Sequence, residues 1–215
     1  MKIQVLTSKN SWLYKNKKKA KYKGYWKNKK IITSYKSIKG DFDITLMLSY
    51  YKIIPPKYLN ITKYNLVVHE SNLPKGRGFS PLYHQIIEGK TLITFSIFEC
   101  LKKMDSGKIY LKKKFYFSPT LIYDEIKERQ LDSALILFDM FIKKIKNKKN
   151  YIKSIDQKEK PSYFKKFKST ASKIDITKTI KSQINIMRTR DNNNFPSYFY
   201  YKKRKFIIKL YSDKS

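Results

Sequence analysis

The segment from Val67 to Pro81, VVHESNLPKGRGFSP, constrains the fold more than any other part of the chain. It begins with two β-branched apolar residues followed by His69, and it ends at Ser80-Pro81, a pair typical of a helix start. Between them lies a loop that contains Gly76 and Gly78. Open α/β sheets build ligand sites where a strand passes through such a loop into a helix. The segment therefore predicts a site at the end of this strand.

Other segments fit the same α/β architecture, with a mostly parallel open sheet. Short apolar runs rich in β-branched residues predict five strands, the last an outer strand because basic residues are mixed into it: Lys2–Thr7, Asp43–Ser49, Asn65–His69, Leu92–Phe98 and Ile109–Phe117. Apolar residues three or four positions apart predict helices over Pro81–Glu88 and Leu121–Ile145. Residues 13–40 are rich in Lys and Tyr without periodicity, so no element is predicted there.

The C-terminal part of the chain has a different pattern. A basic run from Lys143 to Lys153 predicts a soft boundary at Lys148. Thr177–Met187 places apolar residues on one face of a short helix, and Phe195–Tyr201 with Phe206–Tyr211 predicts a hairpin around a basic turn. We expect this tail to pack on the core and not to fold alone.

The formal net charge of +33 over 215 residues raises the question of a nucleic-acid partner. Only five of the 49 basic residues are arginine, the residue that phosphate- and base-reading surfaces favour. Enrichment in Lys, Ile, Asn and Tyr is also what an AT-rich genome encodes in any protein. We favour compositional drift, and nucleic-acid binding through a selected basic surface is the alternative.

Cys100 is the only cysteine, which excludes an intramolecular disulfide and fits a reducing compartment. Its place at a predicted strand end indicates a buried thiol. No apolar run follows Met1, and none reaches the roughly 20 residues that span a bilayer. We therefore expect a cytoplasmic protein with no membrane partner.

Three motifs together resemble the 10-formyltetrahydrofolate-dependent formyltransferases. They are His69 at a strand end, the LPxxRGxxP pattern from Leu73 to Pro81, and Asp105-Ser106-Gly107, which begins 36 residues after His69. The segment from Tyr50 to Pro55 is also similar to the family's strand-end segment before the His strand. The resemblance implies a Rossmann-like formyltransferase fold and formyl transfer from 10-formyltetrahydrofolate to a primary amine.

The resemblance also implies roles for single residues. Formyl transfer needs a deprotonated amine, a stabilised formyl oxygen and a proton for the departing folate nitrogen. His69 is the expected donor to that oxygen, and Asp105 is expected to orient the imidazole or to act as general base. The expected substrate and cofactor loop comprises Leu73, Pro74, Arg77, Gly78 and Gly107.

Purely structural roles are the alternatives for some of the residues in this region. The Gly76-Arg77-Gly78 turn either holds an anionic or carbonyl group or serves chain reversal alone. Gly107 is expected to fix the backbone beneath Asp105, and His84 to be a packing or surface residue. We expect no metal.

The chain departs from the family two residues before His69, where most members have Asn and this chain has Val67. Asn65 lies too far along the strand to replace that amide simply. Either another donor completes the site or activity is reduced, and we favour an active enzyme over a degenerate homologue.

The expected organisation is a formyltransferase catalytic domain, 1–147, a basic linker, 148–160, and a C-terminal extension, 161–215. Methionyl-tRNA enzymes of the family have a larger C-terminal domain. Glycinamide ribonucleotide enzymes have a glycine-rich loop after the first strand, whereas Thr7–Trp12 contains no glycine. We therefore expect a small-molecule acceptor, an amino sugar or a nucleotide-linked amino sugar. The alternatives are a methionyl-tRNA formyltransferase-like protein and a degenerate homologue that binds RNA.

Overall fold

The computed structural model describes residues 1–147 and 152–213. The strands are β1 (Ile3–Leu6), β2 (Lys29–Ile32), β3 (Ile44–Met47), β4 (Tyr64–His69), β5 (Arg77–Gly78), β6 (Leu92–Glu99), β7 (Ile109–Tyr116), β8 (Tyr163–Phe164), β9 (Ser197–Tyr201) and β10 (Arg204–Ile208). The α-helices are α1 (Trp12–Asn16), α2 (Ala20–Trp26), α3 (Pro56–Leu59), α4 (Pro81–Ile87), α5 (Tyr123–Asn147) and α6 (Ile180–Arg188).

Six strands form the central sheet in the order β2-β1-β3-β4-β6-β7. The first four run parallel to one another, while β6 and β7 are antiparallel to their neighbours. The predicted α/β class with a mostly parallel open sheet is therefore confirmed, and β7 is the outer strand that its mixed sequence predicts. Because β3 and β4 are parallel, both end at one edge of the sheet, where His69 lies.

Helix α5 covers one face of the sheet with the apolar stripe that its sequence predicts. Phe138 and Phe141 are fully buried on this stripe. The helix begins two residues later than predicted and ends two residues later. The stripe joins the main hydrophobic cluster, which includes residues of β1, β3, β4, β6 and β7.

The region without predicted elements, 13–40, contains α1, α2 and β2. Its helices bury few side chains, among them Leu13, Tyr22 and Trp26. The hydroxyl of Tyr22 donates to Asp132 at 3.0 Å, and that of Tyr25 donates to Asp139 at 3.0 Å. Both acceptors lie on α5. Tertiary hydrogen bonds thus position α2, which is why local periodicity does not reveal it.

The C-terminal tail packs on the core as a helix and a hairpin. Arg188 at the end of α6 is buried and donates to the carbonyl oxygens of Ser118 and Leu121, just before α5. Strand β8 pairs with β5, and β9 pairs with β10. Among the described residues, no helix is long and apolar enough to cross a bilayer.

The predicted boundary at Lys148 lies outside the described residues. The part of the predicted linker that follows is in contact with the core. Ile152 is buried, and Ile155 pairs with Ile109 at the start of β7 through two backbone hydrogen bonds of 2.8 Å. The division into domain, linker and extension stays a prediction.

Candidate active site

The imidazole of His69 lies at the carboxyl end of β4 and is almost completely buried. Its Nε2 is 2.9 Å from the carbonyl oxygen of Gly76. Since a carbonyl oxygen only accepts, this nitrogen bears the hydrogen in the bond. The ring also meets Phe98 edge-to-face. The loop that follows the strand therefore fixes the orientation of the imidazole.

Asp105 lies beside His69, as the motif spacing predicts. The distance between Asp105 Oδ2 and His69 Nε2 is 3.7 Å, and both side chains are about nine-tenths buried. The same carboxylate oxygen accepts a hydrogen bond of 2.8 Å from the backbone N–H of Gly78. Asp105 adopts a left-handed conformation with φ of 51°, which Asp tolerates better than most residues. The structure thus brings the two expected catalytic residues together.

Gly76 and Gly78 are required by the close approach of β8. Both have positive φ, 72° and 99°. A Cβ at Gly78 would lie 2.5 Å from the carbonyl oxygen of Phe164, and one at Gly76 would lie 2.8 Å from the Phe164 ring. The glycines allow the loop to pair with the C-terminal segment while its backbone groups hold His69 and Asp105.

The other residues of the expected substrate loop point away from the cavity beside His69. Leu73 and Pro74 are buried, and Leu73 packs against Phe98 and Ile109. The buried side chain of Arg77 donates to Gln157. Gly107 lies against the carbonyl of Glu99, which leaves no room for a Cβ. Among these expected loop residues, Gly78 lines the cavity. Contact with a ligand stays a prediction for all of them.

A cavity of about 440 Å³ opens beside His69 and Asp105. Ile53, Ile54, Val67 and Phe98 contribute apolar walls, and the ends of β3 and β4 form its floor. The volume is in the usual range for small-molecule sites, about 300–1,000 Å³. The cavity therefore suits an organic ligand with a flat or apolar part.

Polar residues at the far side of this cavity were not predicted from the sequence. Glu70 accepts from Gln130 on α5, and Lys127 Nζ donates to Gln130 Oε1 at 3.3 Å. Burial lowers the pKa of Lys127, while the charges of Glu70 and Asp191 oppose that shift. Glu70 directly follows His69 in the sequence, and this position is a signal from which its place at the cavity could have been predicted. Lys127 and Gln130 lie four residues before Leu131 and Ala134, so they continue the buried stripe of α5, which is a second usable signal.

Val67 also lines the cavity and packs against Leu73, Phe98 and Ile109. The amide of Asn65 is bonded elsewhere. It donates to the carbonyl oxygens of Leu59 and Thr62, and its Oδ1 accepts from the Thr62 hydroxyl. Asn65 therefore holds the turn before β4 and does not replace the family amide.

Cys100 is half-buried and lines the cavity next to Asp105. Burial, with smaller contributions from Asp105 and Glu99, raises the pKa of its thiol to about 12. The thiol therefore stays protonated at neutral pH and is a poor nucleophile.

The fold agrees with the comparison with known families. The sequence model of the formyl transferase family matches residues 3–138. The chain belongs to the formyl transferase family.

Particular relatives refine this assignment. The chain is 30% identical over 175 residues to methionyl-tRNA formyltransferase of Fusobacterium nucleatum, which covers 80% of this chain and 54% of that protein. It is 28% identical over 162 residues to the enzyme of that name from Sulfurihydrogenibium sp., covering 75% of this chain and 51% of that protein. The chain thus spans about half the length of these curated relatives.

Solved structures share the fold. Methionyl-tRNA formyltransferase from Clostridium thermocellum superimposes with a TM-score of 0.75 and 21% identity, over 100% of this chain and 94% of that one. A 4-N formyltransferase from Francisella tularensis gives 0.69 and 19%, over 99% and 98%. HypX from Aquifex aeolicus, solved with tetrahydrofolic acid, gives 0.71 and 14%, over 98% and 37%.

Gly78→Ala tests the close approach of β8 to the loop. The added Cβ meets a backbone carbonyl and the residue must keep a positive φ, so we expect unfolding in urea to show a loss of about 2–4 kcal/mol. Gly24→Ala is the matched control. Open space surrounds this helical glycine, so alanine should raise the free energy of unfolding there by up to about 1 kcal/mol. Equal stability of the two variants would contradict the packing described.

Proposed function

We propose that the chain transfers a formyl group from 10-formyltetrahydrofolate to a primary amine. The observation that supports this most is the 3.7 Å approach of His69 to Asp105 at the edge of a ligand-sized cavity. The family assignment gives the reaction class, and the pair supplies the acid–base groups that the reaction needs.

The cavity fits a folate donor in size and lining. A pterin ring is flat and largely apolar on its faces, and Ile53, Ile54 and Phe98 offer matching walls. The bound folate would supply the formyl carbon and a nitrogen leaving group. All further steps depend on residues of this chain.

Asp105 removes a proton from the attacking amine, directly or through one water. The Gly78 N–H keeps its carboxylate at the cavity wall. Because the Nε2–H of His69 is bonded to the Gly76 carbonyl, a proton on Nδ1 stabilises the formyl oxygen as negative charge develops there and then passes to the departing nitrogen. Asp105 returns the proton of the amine to the imidazole. The Gly76 carbonyl fixes the imidazole, so little reorganisation is needed during the reaction.

For the acceptor, we propose the amino group of methionyl-tRNA. Support comes from the names of the relatives from Fusobacterium and Sulfurihydrogenibium. The net charge of +33 also suits a polyanionic substrate, whose binding gains from counterion release.

The hairpin of β9 and β10 supports an RNA acceptor as well. Residues 192–212 contain seven aromatic and five basic residues and no acidic one. Tyr200, Tyr201 and Tyr211 are each about half exposed or more, and the turn Lys202–Lys205 is exposed. Exposed aromatic rings between basic residues stack on bases and contact phosphates.

The hairpin is connected to the cavity at its base. Asn192 exchanges hydrogen bonds with the backbone of Leu210, the second residue after β10. The neighbouring Asp191 interacts with the Tyr123 hydroxyl, and the Tyr123 ring stacks on the cavity residue Tyr83. An RNA bound along the hairpin would therefore lie next to the cavity.

An amino sugar, alone or linked to a nucleotide, is the second candidate acceptor. A sugar N-formyltransferase from Shewanella sp. shares the fold over 99% of its length, with a TM-score of 0.65 and 17% identity. The two candidates differ in charge and size, which makes them separable by one assay.

His69→Ala and Asp105→Asn should each lower kcat for formyl transfer by at least ~10²-fold, the usual scale for losing an acid–base or oxyanion group. Binding of tetrahydrofolate, followed by fluorescence, should change far less, because the groups act mainly in the transition state. Asp41→Asn, an exposed carboxylate, is the control. Near-normal turnover of either site variant would assign the chemistry elsewhere.

Wild-type protein should formylate methionyl-tRNA and leave a nucleotide-linked 4-amino sugar unmodified. Arg204→Gln/Lys205→Gln on the exposed hairpin should reduce the slope of log affinity for tRNA against log salt by about 1–2. Lys113→Gln/Lys114→Gln removes the same charge from exposed positions of β7 and should leave the slope unchanged. Turnover of the amino sugar alone would replace the RNA acceptor with the second candidate.

Val67→Asn tests the departure from the family. Val67 packs among apolar residues, so we expect the new amide to lack partners and to cost about 1–3 kcal/mol of stability without a gain in rate. Steady-state rates and the melting temperature decide the matter. A variant that is faster and equally stable would show that the missing amide limits the enzyme.

A further inference from the structure

Gln157 lies between the two loops that hold the catalytic pair. Two residues earlier in the chain, Ile155 pairs with Ile109 in an antiparallel bridge. That register places Gln157 opposite Gly107, two residues after Asp105. From this position the Gln157 amide reaches the backbone of the Asp105 loop.

One end of this amide binds the loop after His69. Gln157 Oε1 accepts from Arg77 Nη2 at 2.7 Å and from Arg77 Nε at 3.2 Å. Arg77 is 5% exposed and directly precedes Gly78, whose N–H holds Asp105. The Arg77 guanidinium therefore anchors the loop after His69 to Gln157.

The other end binds the loop that contains Asp105. Gln157 Nε2 donates to the carbonyl oxygen of Asp105 at 3.0 Å and to that of Gly107 at 2.7 Å. Both hydrogens and both lone pairs of the amide are therefore used. A closed ring of contacts results: Gln157 holds Arg77 and the Asp105 backbone, and Gly78 and the Asp105 side chain hold each other.

We propose that Gln157 is a positioning residue for the proposed formyl transfer, setting the separation of His69 and Asp105. This inference rests on the proposed function for its catalytic consequence, but its structural part does not. Asp105 is held in a left-handed conformation within a loop between two strands. The Gln157 bonds fix that backbone where the 3.7 Å approach depends on it.

Gln157→Glu separates positioning from simple packing. Glutamate has the same shape and keeps a partner for Arg77, so the protein should fold. It has no N–H to donate to the carbonyls of Asp105 and Gly107, and its charge faces their oxygens. We expect kcat to fall about 10- to 100-fold with KM for the folate donor changed less than about threefold, since small misplacements cost that much.

Gln183→Glu is the matched control. Gln183 is buried where Gln157 is half-buried, and it likewise donates to a backbone carbonyl, that of Asp175, while accepting from the Asp175 N–H. These contacts lie within the tail, away from His69. This variant should lose similar stability and retain kcat. Gln157→Asn keeps the amide on a side chain one methylene shorter, and its kcat should stay below that of the wild-type protein.

Amide hydrogen exchange supplies a second measurement that does not need turnover. In Gln157→Glu, exchange should accelerate in residues 76–79 and 102–108 and remain unchanged in β1 and β3. Unchanged exchange, or faster exchange with an unchanged kcat, would overturn the proposal. If wild-type protein formylates neither acceptor, the proposed function fails, and the exchange data alone decide whether Gln157 joins the two loops.

Discussion

The hydrogen bond from the Gly78 N–H to Asp105 Oδ2 is the contact on which the site depends. It joins the loop after β4 to the loop between β6 and β7, two segments that the sheet alone does not hold together. The bond is possible because Gly78 adopts a φ of 99° while β8 lies directly behind it. The position of Asp105 therefore follows from a backbone conformation that only glycine adopts readily.

The sequence predicts the sheet and the proximity of His69 to Asp105 well, for physical reasons. Buried strands and the buried stripe of α5 require apolar residues in runs or at regular spacing, and the sequence shows both. The positions of His69 and Asp105 depend on a strand end and a loop, which short motifs specify.

Where the role of a residue depends on a partner far away in the sequence, the spacing of apolar residues does not reveal that role. The Arg77 motif fits a ligand contact and a simple chain reversal equally well, and the structure gives its guanidinium a protein partner, Gln157. Lys127 and Gln130 continue the stripe of α5 at helical spacing, but the stripe does not show that a cavity lies opposite them. Likewise α2 depends on hydrogen bonds to α5. Each case requires knowledge of what lies opposite in space.

The pairing of β5 with β8 has a consequence for how the protein loses its function. The segment that supports the loop comes from far along the chain: Gly76 N–H binds the Ser162 hydroxyl, 86 residues away. The pairing covers only two residues of each strand, and segments with few buried apolar contacts open first, whereas the sheet and α5 rest on a continuous apolar core. On warming, the C-terminal segment should therefore separate from the loop before the core melts. His69 and Asp105 would come apart in a protein that still has most of its secondary structure.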